Sequence, residues 1–71
     1  MVSVGERLKA ERERLGYNQS DFSQFGHKTK LTQSKYENNE TSPTADYFIK
    51  IHVVGADMMF ILTGQRSNPM T

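Results

Sequence analysis

Apolar and polar positions along this chain recur with the period of short helices, interrupted at intervals by glycine, asparagine and proline. Val4, Leu8 and Leu15 make a helical stripe with a thin apolar face, with Glu11 and Arg12 set between them and charged residues crowding the remainder. Ser3 with Glu6 three residues on forms a capping box, and Gly16 is placed to stop the first helix, near Leu15, in a left-handed conformation. Asn18 caps a second helix whose third position is Asp21, where a carboxylate also favours the positive end of the dipole, and Phe22 and Phe25 give that helix a buried face. Gly26-His27 breaks it. A third helix runs from about Thr29 to Glu37, until the turn-prone Asn38-Asn39-Glu40-Thr41 interrupts it.

Ser42-Pro43 predicts the start of a fourth helix, because proline is preorganised for the first helical position and holds its predecessor extended. Tyr47, Phe48, Ile51 and Val54 then recur at helical spacing and Gly55 ends the run. Asp57 caps a fifth helix carrying Met58 to Leu62, and Gly64 stops it. The local alternation Ile49-Lys50-Ile51-His52-Val53 could pass for a strand, but its proline start and glycine stop favour helix. The expectation is an all-α fold, a compact bundle of five short helices over residues 1–66, in which the second and third form a helix-turn-helix. Residues 67–71 read as a disordered tail.

With 71 residues there is room for one domain and one small core, too little for a catalytic cleft between domains. The absence of cysteine excludes disulfides and thiolate metal sites and makes a cytoplasmic home the simpler reading. The apolar run Met58 to Leu62 is too short to cross a bilayer, and the N-terminus has no signal-peptide core. Net charge is only +1, so a nucleic-acid partner has to be sought in the distribution of charge. From His27 to Tyr36 there are three lysines, Lys28, Lys30 and Lys35, and no acid, a local patch that can attract phosphates.

Winding the third helix at about 100 degrees per residue puts Lys30, Leu31, Ser34, Lys35 and Asn38 in one sector. Thr32 and Tyr36, with Thr29 and Gln33 at the edges, occupy the other. Thr32 and Tyr36 can pack inward on Phe22 and Phe25, while the first sector offers donors for guanine acceptors or phosphates and one apolar group suited to a thymine methyl. Leu31 leaves two orientations open: on the DNA-facing sector, or in the core of a differently rotated helix.

On these residues the chain resembles an Xre-type helix-turn-helix regulator, the group of the lambdoid phage repressor and Cro proteins. The resemblance is carried by Gly5-Glu6-Arg7-Leu8, Leu15-Gly16-Tyr17-Asn18-Gln19, Ser23, Tyr36-Glu37, Ser42-Pro43 and Ile61-Leu62-Thr63-Gly64-Gln65-Arg66, from Val4 to Arg66. It implies that Gln19, opening the second helix beside Asn18, touches a DNA phosphate. It implies also that the small Ser23 lets the third helix approach, and that Lys30, Leu31, Ser34 and Lys35 read bases. Thr29, Asn38 and Asn39 complete the implied set as phosphate contacts that fix register, and Asn18 and Lys28 are further candidate DNA-binding residues beside them. His27 stands where the family favours a turn glycine, Lys28 where an apolar residue normally follows, and Gln33 at the inward apolar position of the third helix. These departures predict a weakly anchored third helix that is mobile without DNA.

Other chemistries have little support. His27 and His52 form no metal-spaced pair, no serine, histidine and acid are arranged for nucleophilic catalysis, and the five glycines punctuate helices without forming a phosphate loop. No catalytic residue, no metal and no cofactor are therefore expected. One helix face cannot bury all of Met58 to Leu62, so Met58, Met59 and Phe60 are candidates for a homodimer interface, against the alternative that they close the core around Val4, Leu8 and Ile51. The expected partner is a two-fold symmetric stretch of double-stranded DNA read by a dimer, with a repressor-like role. The reading is compatible with a larger regulatory domain or a protein partner. The rival is a small helical interaction module, an antitoxin or adaptor, that uses the same scaffold to bind protein.

Overall fold

A computed structural model describes residues 2–67. They form five helices, α1 (Val4–Arg14), α2 (Gln19–Phe25), α3 (Lys30–Glu37), α4 (Ala45–Val53) and α5 (Met58–Thr63). Each begins at a side chain that accepts from a free backbone N–H of the first turn: Ser3, Asn18, Thr29, Thr44 and Asp57. Ser3 and Glu6 make the full reciprocal capping box. The start of α4 is later than the sequence predicts. Ser42-Pro43 lies ahead of the helix, because Thr44 takes the extended cap conformation and its hydroxyl accepts from the Tyr47 N–H at 3.1 Å.

Four of the five helices end in the same way. The second residue after the last helical one is left-handed, and two backbone N–H groups fold back on the final turn. At α1 this residue is Gly16 (φ 88°) and at α4 it is Gly55 (φ 103°), whereas at α2 it is His27 (φ 58°) and at α3 it is Asn39 (φ 62°). For α2 the His27 N–H reaches the Gln24 carbonyl at 3.1 Å and the Lys28 N–H the Ser23 carbonyl at 2.9 Å. The turn that lacks its customary glycine therefore keeps the backbone geometry, with histidine bearing the steric cost. Gly26, beside it, serves another purpose: its φ is negative, but a Cβ there would overlap the Tyr47 ring.

The core is built from Leu8, Phe22, Tyr36, Tyr47, Ile51, Ala56 and Ile61, all buried. α1 packs on both α3 and α5, and α2 packs on α3. Tyr36 meets Tyr47 edge to face at 4.9 Å between ring centres, and Tyr17 meets Phe25 in the same manner at 4.9 Å. Phe25 is half-buried, the rim of the core where the sequence places it inside. α1 approaches the end of α3 so closely that a Cβ on Gly5 would lie 2.6 Å from the carbonyl oxygens of Tyr36 and Glu37. Here Asn39 closes the contact, its Oδ1 accepting from the Gly5 N–H at 3.1 Å and its Nδ2 donating to the Ser3 hydroxyl at 2.8 Å.

The chain after α5 is held as far as Ser67. The Arg66 guanidinium bonds to Glu11 at 2.6 Å and lies 3.8 Å over the Phe60 ring, and Ser67 donates to the Asp57 carboxylate. The rest of the tail predicted at 67–71 lies outside the described residues.

Candidate nucleic-acid interface

The inner face of α3 is not the one that spacing predicts. Gln33, Tyr36 and Glu37 are buried, Thr32 is half-buried and Thr29 is exposed as the helix cap. The helix is rotated so that two polar side chains point inward, and this is tolerable only because both are fully bonded. The Glu37 carboxylate accepts from Arg12 Nε at 2.7 Å and Nη2 at 3.1 Å, from Gln33 Nε2 at 2.8 Å and from Gln19 Nε2 at 3.1 Å. Arg12 also donates to the Tyr17 carbonyl at 2.8 Å, and the Tyr47 hydroxyl donates to Gln33 Oε1 at 2.6 Å. Among the described residues no buried side-chain nitrogen or oxygen lacks a partner. Burial pushes the Glu37 carboxyl up, but the hydrogen bonds from Arg12, Gln33 and Gln19 outweigh it and hold the group below the usual carboxylate range. Burial pushes the Tyr47 phenol up, so it stays a protonated donor. Anchoring of α3 at Gln33, which a weakly held helix would lack, is thus supplied by hydrogen bonds.

The outer face of α3 is open. Lys30 and Leu31 are exposed, Leu31 to 64 %, and Ser34 and Lys35 are half-buried on the same side. Leu31 therefore belongs to the outward sector and not to the core. Asn38, exposed at the helix end, donates to the Ser34 hydroxyl at 3.4 Å. Lys28 is half-buried in the turn, and the Thr29 hydroxyl accepts from the Thr32 N–H at 3.2 Å. Asn18 is exposed at the start of α2, its Oδ1 committed to the Asp21 N–H at 2.7 Å. Gln19 is half-buried, its amide tied to Glu37 from one side. The structure thus brings Gln19, Lys28, Thr29, Lys30, Leu31, Ser34, Lys35 and Asn38 around α3 and the turn before it. It gives Asn39 a different task, since both ends of its side chain are spent on α1.

Sequence reasoning missed the support beneath this surface. Arg12, set between apolar positions of α1, reads as one more surface charge, and only its pairing with Glu37 explains its burial. Glu11 is buried as well, bonded by Arg14, Arg66 and the Asp57 N–H. The one available signal was a glutamine at the inward position of α3.

Met58 and Phe60 pack half-buried against the core, while Met59 and Leu62 of α5 are exposed together with Ile49 and Val53 of α4. Among the described residues, no cluster of histidine, cysteine or acidic side chains is arranged to hold a metal, and no helix is long and apolar enough to cross a membrane.

Two helices at a tight turn, the second locked on its inner face and open on an outer face with lysines at both ends, form an arrangement that can enter a major groove. Comparison with curated proteins gives no match, nor does comparison with solved structures. Comparison with family models gives a match to the helix-turn-helix family over residues 8–54, more than half of the chain and the whole of the α2–turn–α3 unit. The chain belongs to the helix-turn-helix family of Xre-type, DNA-binding regulators.

Proposed function

We propose that this regulator is a Cro- or repressor-like protein that binds a two-fold symmetric operator as a homodimer, with α3 in the major groove. The observation that carries the reading is the division of α3: Gln33, Tyr36 and Glu37 buried, and Lys30, Leu31, Ser34, Lys35 and Asn38 facing outward. Lys30 and Lys35 supply donors for guanine O6 and N7, Ser34 adds a small donor and acceptor, and Leu31 meets a thymine methyl. Asn18, Gln19, Lys28, Thr29 and Asn38 border the groove and contact phosphates.

Dimerisation is assigned to the α4–α5 side. Its exposed apolar side chains are Met59, Leu62, Ile49 and Val53; Ile49 and Leu62 share a groove with Phe48 and Met58, while Phe60 lies under the Arg66 guanidinium. Exposed apolar side chains of this kind on a small domain favour a partner, and a second copy would set two α3 helices against successive faces of the duplex. The same surface also favours the interaction-module reading, in which the scaffold binds another protein.

Selection from a random pool of duplexes, followed by binding at several salt concentrations, tests both readings. Under the proposal Lys35→Ala costs about 1–3 kcal/mol on the selected site and relaxes its sequence preference, while affinity falls steeply with salt. Sedimentation of Val53→Glu should show a monomer with weakened operator binding. An affinity indifferent to salt and to Lys35→Ala would support the interaction module.

A further inference from the structure

The Glu37 carboxylate is saturated. Oε2 accepts from Arg12 Nε and Gln33 Nε2, and Oε1 from Arg12 Nη2 and Gln19 Nε2, so each oxygen has two donors. That arrangement imposes a direction on its neighbours. An ionised carboxylate can only accept, so Gln33 must turn its NH2 toward Glu37 and its oxygen away. The oxygen meets the Tyr47 hydroxyl, which must donate. Tyr47, Gln33 and Glu37 are each at most 4 % exposed, leaving no water to substitute for a missing partner. The polar chain runs from α4 through the middle of α3 to its last residue, and Gln19 joins it there from α2.

Gln19 is the half-buried end of this chain and opens α2, beside the groove-facing surface. A side-chain amide has two N–H groups. Glu37 takes one, which restrains the amide and leaves the second N–H available to another acceptor. A glutamine with three free torsions would have to be ordered on binding, whereas one already pinned has met that entropy cost in folding. A leucine or valine at Gln33 would fill the same space, but would leave the Tyr47 hydroxyl and one lone pair of Glu37 without partners. The amide at Gln33 contributes direction as well as volume.

We propose that Gln33 and Tyr47 are positioning residues for the DNA-backbone contact: by orienting the Glu37 carboxylate they hold the Gln19 side-chain amide with its second N–H directed at a phosphate. The assignment rests on the DNA-binding reading above. It predicts that a substitution on α4, at a residue buried in the core, acts on DNA through Gln19.

The test uses mixed-sequence double-stranded DNA at low salt, since a phosphate contact does not depend on the operator. Gln19→Ala and Tyr47→Phe should each weaken binding about threefold to tenfold, and the double variant should bind no worse than Gln19→Ala alone. Gln33→Met should behave as Tyr47→Phe does. In the free wild-type protein the Gln19 side-chain amide resonances should stand apart from those of the exposed Gln24, and Tyr47→Phe should move them toward the solvated position. Equal losses from Tyr47→Phe with and without Gln19 would overturn the proposal, showing a general effect on the fold. So would a Tyr47→Phe or Gln19→Ala variant that binds as the wild type does. Should Tyr47→Phe not fold, the wild-type amide decides, because Gln19 resonances coincident with those of Gln24 contradict the pinned side chain. A wild-type chain that binds no duplex overturns the DNA-binding reading itself, and is thereby distinguished from loss of the positioning role alone.

Discussion

Glu11 and Glu37 are both buried glutamates bonded to arginine, yet they hold different halves of the molecule by different means. Glu37 has one arginine, itself only 8 % exposed, and two side-chain amides, and its partners come from α1, α2 and α3 beneath the exposed outer face of α3. Glu11 has two arginines, Arg14 and Arg66, that are 49 % and 39 % exposed, and it fastens α1 to the start of α5 and to the chain beyond Gly64. In the first cluster both charges are out of water, so neither can lose the other without a large penalty. In the second the cations keep access to water, which softens any loss. The helix ends follow the same division: α2 and α3 end on His27 and Asn39, whereas α1 and α4 end on Gly16 and Gly55. The half around α2 and α3 is held by directional polar contacts and carries local backbone cost, and the other half is held by glycine ends and solvent-tolerant ion pairs.

The largest expected effect is Glu37→Ala, which leaves the Arg12 charge buried and should lower unfolding free energy by about 3–5 kcal/mol in urea titrations. Glu11→Ala should cost less, and an equal or greater loss would break the comparison. Acid titration sharpens it next. Burial raises the Glu11 carboxyl, but hydrogen bonds from Arg14, Arg66 and the Asp57 N–H lower it further, from 4.5 to about 2. Its folded value lies below its unfolded one, so its stabilisation is complete above about pH 4.5 and is lost as pH falls toward 2. Glu37 shifts in the same direction. Thermal melts should fall steeply over that window, with roughly 3 kcal/mol of the loss attributable to Glu11 and absent in Glu11→Gln.

A smaller effect tests the helix ends. His27→Gly removes the cost of a left-handed histidine and should raise stability by about 1 kcal/mol, while Gly16→Ala should lower it by a similar amount. The smallest is Leu31→Ala, which should change stability by less than about 0.5 kcal/mol in the same titrations, because the side chain is mostly in water, while altering the selected DNA sequence.

Much of this was legible beforehand for local reasons. Ser3, Asn18 and Asp57 cap their helices through contacts within one turn, and Gly16, Gly55 and Gly64 stop helices through their own φ angles. Such features need no knowledge of the rest of the chain. The Thr44 cap is not legible because Ser42-Pro43 offers a competing start only two residues earlier, and such boundaries turn on which side chain reaches the first free N–H. The outward sector of α3 followed from helical winding, but its inner face did not, because winding gives relative angles and not the direction of the core.

The sequence by itself determined where the helices end and, α4 apart, where they begin, that the third carries lysines on one side, and which family pattern the chain follows. Those are properties of neighbours a few residues apart. Only the tertiary structure decided that Arg12, Gln33, Glu37 and Tyr47 are one buried unit, that Leu31 faces outward and Asn39 serves α1, and that Arg66 returns to Glu11. A charged or amide side chain reads as solvated until its partner is known, and these partners lie up to 55 residues away in the chain. Burial of a polar group is a property of the pair, and the pair exists only in the fold.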